Sequence, residues 1–96
     1  MKMVFVVYSQ AADADILSAL KQGGMKGYTK LDKARGEGCE TEPKLRTHTW
    51  PGENTVIFSV MEDSEVDQMT ALIRNLKQTH PRAGIKGFIL PMEEII

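Results

Sequence analysis

Residues 3–8 read MVFVVY. Six consecutive apolar residues, rich in β-branching, fit a strand buried on both faces in the middle of a sheet. A second run of this kind, TVIFSVM at 55–61, lies some fifty residues on. Each is followed by a helical pattern. After the first, Ile16, Leu17 and Leu20 form one stripe over residues 13–22, with Asp13 and Asp15 suited to an N-terminal turn. Gly23-Gly24 stops that helix, because glycine takes the left-handed conformation at a helix end. After the second, Asp63 or Ser64 is the expected cap. Val66, Met69, Leu72, Ile73 and Leu76 make the stripe, and His80-Pro81 ends the helix.

Two weaker strands complete the pattern. Residues 27–35 mix Tyr28, Thr29 and Leu31 with charge, as an edge strand does, and residues 85–92 form the last strand. The order is β-α-β, loop, β-α-β in a single domain spanning 1–96. It predicts an α+β, ferredoxin-like βαββαβ fold: a four-stranded antiparallel sheet with two helices on one face. The other sheet face then carries either Met3, Phe5 and Val7 or Val4, Val6 and Tyr8. Both sets are apolar, so the bare face calls for a partner, most simply copies of the same chain.

Composition narrows the classes. Net charge is −1, so no global field draws the chain to nucleic acid or an anionic membrane. Seven of the twelve Lys and Arg nevertheless fall in residues 21–46, with four of the thirteen acids. Lys26, Lys30, Lys33, Arg35, Lys44 and Arg46 are candidates for an anion-facing wall, though strand alternation puts Lys30 with Tyr28 and places Lys33 and Arg35 with Thr29 and Leu31. One cysteine makes no intramolecular disulfide, and MVFVVY is too short to span a bilayer. The expectation is a cytoplasmic protein. No nucleophile–base set or phosphate loop appears, so catalysis is not expected.

The loop 36–54, GEGCETEPKLRTHTWPGEN, has neither helical nor strand periodicity. It holds the sole Cys39 and Trp50 together with His48, which suits a functional segment. Its 36–46 half has little apolar content to bury, whereas Trp50 and the Pro51-Gly52 turn favour order in the 47–54 half. Glu40, Arg46, His48 and Trp50 are its candidate partner-facing residues. Cys39 and His48, with Glu40 and Glu42 nearby, are candidate ligands for a divalent metal such as zinc or copper, at no standard spacing.

GGMKGYT at 23–29, Gly36-Glu37-Gly38, and above all KGFILPMEEI at 86–95 resemble the PII signal-transduction family, the nitrogen regulatory P-II proteins. The resemblance implies a homotrimer that binds an adenine nucleotide, ATP or ADP, in clefts between subunits. It also implies a loop that docks on a protein partner such as a membrane transporter or an enzyme. By resemblance Thr29 lies beside the adenine, Gly36 and Gly38 bring main chain to the nucleotide, and Lys86 meets the phosphates. The chain departs from the family at several points. Its turn Pro81-Arg82-Ala83-Gly84-Ile85 is neither glycine-rich nor acidic, and it ends at Ile96 without the C-terminal arginines. Glu40 stands in place of a glutamine that helps hold metal and 2-oxoglutarate. No tyrosine is present in the loop to be uridylylated.

The reading is a PII-like regulatory protein that binds a small anionic effector in clefts between subunits, with ATP binding weak or absent relative to a complete family member. The alternatives are a metal-binding or metal-efflux accessory protein using Cys39 and His48, and an interaction trimer with no ligand. Related cation-tolerance proteins lend the metal reading some family-level support.

Overall fold

A computed structural model describes residues 1–36 and 52–96. The elements are β1 (Lys2–Ser9), a short 3-10 turn (Gln10–Ala12), α1 (Asp13–Gln22), β2 (Thr29–Ala34), β3 (Asn54–Met61), α2 (Asp63–Thr79) and β4 (Lys86–Pro91). The strands form one antiparallel sheet in the order β2-β3-β1-β4. This is the expected βαββαβ arrangement.

β1 is central, as its unbroken apolar run predicts, but it is covered on one face only. Val4, Val6 and Tyr8 are fully buried beneath the helices, while Met3, Phe5 and Val7 remain half-buried on the other side. The core lies between the sheet and the two helix stripes, where Ile16 and Leu20 meet Val66, Met69, Ile73 and Leu76 against Ile57 and Met61. Two glycines permit close approach. A side chain at Gly23 would run into Leu72, and a Cβ at Gly87 would stand 3.3 Å from both Cδ1 and Cγ2 of Ile73.

The helix ends differ slightly from expectation. At the end of α1 it is Gly24, at φ 111°, that takes the positive dihedral; Gly23 stays at −82°. α2 is capped before Asp63 and Ser64, by one residue and two respectively. Glu62 is the cap, because the Glu65 carboxylate reaches back to accept its N–H at 3.0 Å. Asp63 is left to pair with the terminal amine at 3.0 Å and with Lys2 Nζ at 3.3 Å. Hydrogen bonds from those two groups hold its carboxyl below the usual range.

Candidate functional site

Cross-strand partners share a face, so the register lays out the uncovered side of the sheet in rows. One row runs Thr29, Phe58, Phe5, Phe88 from edge to edge; the next runs Leu31, Val56, Val7, Lys86. Val60, Met3 and Leu90 extend the same face. Phe5 and Phe58 stack with ring centroids 5.2 Å apart. Leu31, Phe88 and Leu90 are 51%, 48% and 46% exposed, so the face is apolar and open in the single chain.

Thr29 and Lys86 stand at opposite edges of that face. Three strand spacings separate β2 from β4, about 14 Å. The fold of one chain therefore keeps apart the two residues that the family resemblance places around one ligand. Thr29 is exposed at the start of β2, which is steered there by the buried Ser59 hydroxyl donating to Gly27 O. Lys86 is exposed at the start of β4 and makes no ion pair among the described residues.

The turn before Lys86 is firmly built. Ala83 and Ile85 are plugged into the core, and Gly84 takes φ 64°. Ala83 N–H donates to His80 O at 3.0 Å, Ser9 N–H donates to Ala83 O at 2.7 Å, and Lys77 Nζ donates to Ile85 O at 2.6 Å. Burial of Ala83 and Ile85 explains the apolar residues in this turn. Between it and the β1–α1 turn lies an open groove of about 450 Å³ whose lining includes Ser9, Asp15, His80 and Arg82.

Gly36 is the last described residue before the loop. A Cβ there meets nothing within 4 Å among the described residues. Gly38, Cys39, Glu40, Glu42, Lys44, Arg46, His48, Trp50 and Pro51 lie outside the described residues. So do the metal-ligand reading of Cys39 and His48 and most of the expected contrast between the loop halves. Among the described residues no three His, Cys, Asp or Glu side chains gather as a metal site would need.

The anion-facing wall drawn from the sequence needs correction. Lys30 points to the helix side and is committed to Asp13, Nζ to Oδ2 at 2.7 Å. Asp13 also accepts a hydrogen bond from the buried Tyr8 hydroxyl at 2.7 Å. Burial, and then the bond to Asp13, push the phenol well above its ordinary range. Burial works to raise the Asp13 carboxyl, but its bonds to Lys30 and Tyr8 outweigh this and hold it below the usual range. The same bond from Asp13 raises Lys30. Arg35 pairs with Glu53 at 3.9 Å across the base of the loop. Nor does the simple alternation carry Lys33 and Arg35 onto the face of Thr29 and Leu31, because the β2–β3 register shifts between Leu31 and Ala34.

Sequence reasoning missed Tyr8, Asp13 and Gln10 as a group. Their partners lie 5 to 23 residues away, on other elements. No periodic signal links such positions.

The family model described as nitrogen regulatory protein P-II matches residues 1–96. No curated protein matches the chain. Among solved structures, similarity extends to a PII-like signalling protein of Thermus thermophilus, 22% identical, covering 92% of this chain and 82% of that one at a TM-score of 0.61. The PII-like protein CPII of Thiomonas intermedia, bound to ADP, AMP and bicarbonate, is 15% identical, with 99% and 94% covered and a TM-score of 0.66. Another CPII structure, bound to ADP and bicarbonate, is 18% identical, with 92% and 81% covered and a TM-score of 0.63. At these identities the structures establish the common fold.

Proposed function

The chain belongs to the nitrogen regulatory protein P-II family, and from that premise we propose that it is a non-catalytic, cytoplasmic signalling trimer that binds an adenine nucleotide between subunits. The observation that carries the proposal is the placement of Thr29 and Lys86 at opposite edges of one bare apolar face. One ligand touching both residues has to sit where the β2 edge of one copy meets the β4 edge of another. Association of copies would also remove Phe5, Phe58, Phe88 and Leu90 from water, the driving force such an assembly needs.

Within that cleft Thr29 offers a hydroxyl to the base, and Lys86 offers a compact charge to phosphoryl oxygens. ADP or AMP is the favoured class, since CPII, of the same fold, binds them. A bicarbonate-sized anion is the corresponding small co-ligand. The 36–54 loop then carries the ligand state to a protein partner, a membrane transporter or an enzyme. For this the ligand must bind the loop's alternative states with different affinity.

Light scattering and calorimetry test the reading together. The protein is expected to run as a trimer at micromolar concentration and to bind ADP. Lys86→Ala should weaken ADP by about 1–3 kcal/mol, the cost of losing a charged hydrogen bond, and Thr29→Val by less. A clean monomer would remove the cleft, and equal ADP affinity in wild type and the Lys86 variant would remove the phosphate role.

A further inference from the structure

The end of β2 is built in a way that a plain edge strand does not need. Thr29, Lys30 and Leu31 pair in step with Phe58, Ile57 and Val56. Continuing that step would set Ala34 opposite Glu53, yet Ala34 stands opposite Asn54. One extra residue is therefore held in β2 between Leu31 and Ala34, as in a β-bulge. There Lys33 takes φ 61°, a left-handed conformation that costs a side-chain-bearing residue free energy.

Gln10 holds this arrangement. Its Oε1 accepts the Lys33 N–H at 2.6 Å, and its own N–H donates to Glu53 O at 2.9 Å. A single half-buried residue of the β1–α1 turn thus grips both strands at the base of the loop. Its neighbour Ser9 ties the same turn to the segment before β4 through Ala83 O.

We propose that the base of the loop is a two-register switch latched by Gln10. With the latch closed, the extra residue is retained and Ala34 faces Asn54. With it open, Lys33 relaxes to extended backbone, and β2 continues in the step of Thr29 to Leu31. Ala34 then moves opposite Glu53, and Ala34, Arg35 and Gly36 exchange faces, because a one-residue slip inverts every side chain beyond it. Arg35 leaves its present pairing with Glu53. Against the Gln10–Lys33 hydrogen bond and the exposed Arg35–Glu53 pair of the present register, the slipped one relieves the strain at Lys33, so the terms oppose one another, as a switch requires. The inference rests on described residues alone and holds whichever ligand the sheet edges take.

Nuclear magnetic resonance on the whole chain tests it, reading the Lys33 amide exchange rate and the cross-strand contacts of Ala34. Gln10→Ala is expected to speed Lys33 exchange by about tenfold, the factor equivalent to one modest hydrogen bond, and to bring up an Ala34–Glu53 contact. Gln10→Glu keeps an acceptor and should keep the Ala34–Asn54 contact. Adding Lys33→Gly to Gln10→Ala should restore that contact, since glycine holds the left-handed conformation without help. A merely structural loss at Gln10 would not be rescued in this way. Lys33 exchange within twofold of wild type in Gln10→Ala, or failure of the glycine rescue, overturns the proposal. If Gln10→Ala does not fold, Lys33→Val in the otherwise native chain carries the same test. A β-branched residue should force the slipped register, and persistence of the Ala34–Asn54 contact would refute the switch.

Discussion

Replacing Asp13 with alanine should destabilise the fold by about 2–3 kcal/mol, most of it through a residue that the substitution does not touch. The Tyr8 hydroxyl is buried and spends its hydrogen on Asp13 Oδ1. Without that acceptor a buried donor is orphaned, at about 1–3 kcal/mol. Loss of the Lys30 pair adds less, since its side chains are 29% and 22% exposed and solvent screens them. Asp13→Asn keeps an oxygen acceptor for Tyr8 and should lose only the smaller part. Tyr8→Phe removes the donor together with the need for it, and should cost about 1 kcal/mol. The assay is a urea or thermal melt at fixed protein concentration, since any assembly would couple to stability. For a chain of this size each kcal/mol is worth roughly 4–8 °C in Tm. In the double mutant Tyr8→Phe/Asp13→Ala the two losses should fall short of additivity by at least about 0.5 kcal/mol. Asp13→Ala within about 0.5 kcal/mol of wild type, or strict additivity, would refute the account of Asp13 as the acceptor for a buried phenol.

The same carboxylate predicts a pH dependence. Its folded pKa lies below the unfolded value, so its contribution is complete at neutral pH and fades as pH falls below the ordinary Asp value of ~3.9. Asp13→Asn should flatten that acid limb of the stability profile, measured by melts from pH 7 to pH 3. Gly87→Ala should cost about 1–2 kcal/mol by pressing a Cβ against Ile73, and Ile73→Val should recover part of it in the double variant, both read by urea titration. Thr55→Val should be neutral or stabilising by about 1 kcal/mol in the same titration, because the Thr55 hydroxyl is buried without a hydrogen-bond partner among the described residues.

The apolar periodicities carried the architecture. MVFVVY and TVIFSVM mark the two inner strands, and the stripes of α1 and α2 mark the helix faces that cover the sheet, but which sheet face they cover only the structure decides: that of Val4, Val6 and Tyr8. Period-two and period-3.6 patterns report burial, and burial decided these elements. The unbroken run of 3–8 suggested cover on both faces. Met3, Phe5 and Val7 are instead only half-buried in the single chain, because a run apolar at every position does not tell which of its two faces the helices cover. Polar geometry was not legible. Lys30 reads as a free cation on an edge strand, but it lies on the helix side of the sheet, where it meets Asp13 at the start of α1. The register shift after Leu31 has no signature in a stretch reading Asp32-Lys33-Ala34-Arg35, where no glycine marks the left-handed residue. The candidate ligand residues came from resemblance, and only the strand order reveals that Thr29 and Lys86 belong to different edges.

The position of β1 between β3 and β4 also sets a timetable for the growing chain. The first strand of this sheet to be made has two neighbours, and those neighbours begin at Asn54 and Lys86. β2 is no earlier help, since its hydrogen bonds go to β3. No strand pair of this sheet can close until residue 54 has been made, and β1 stays half-flanked until β4 arrives. At translation speeds of about 5–20 residues per second, roughly 4–17 s separate Lys2 from Lys86. Until β3 has been made, Val4, Phe5, Val6 and Val7 have no strand to pair with and form an unpaired apolar segment.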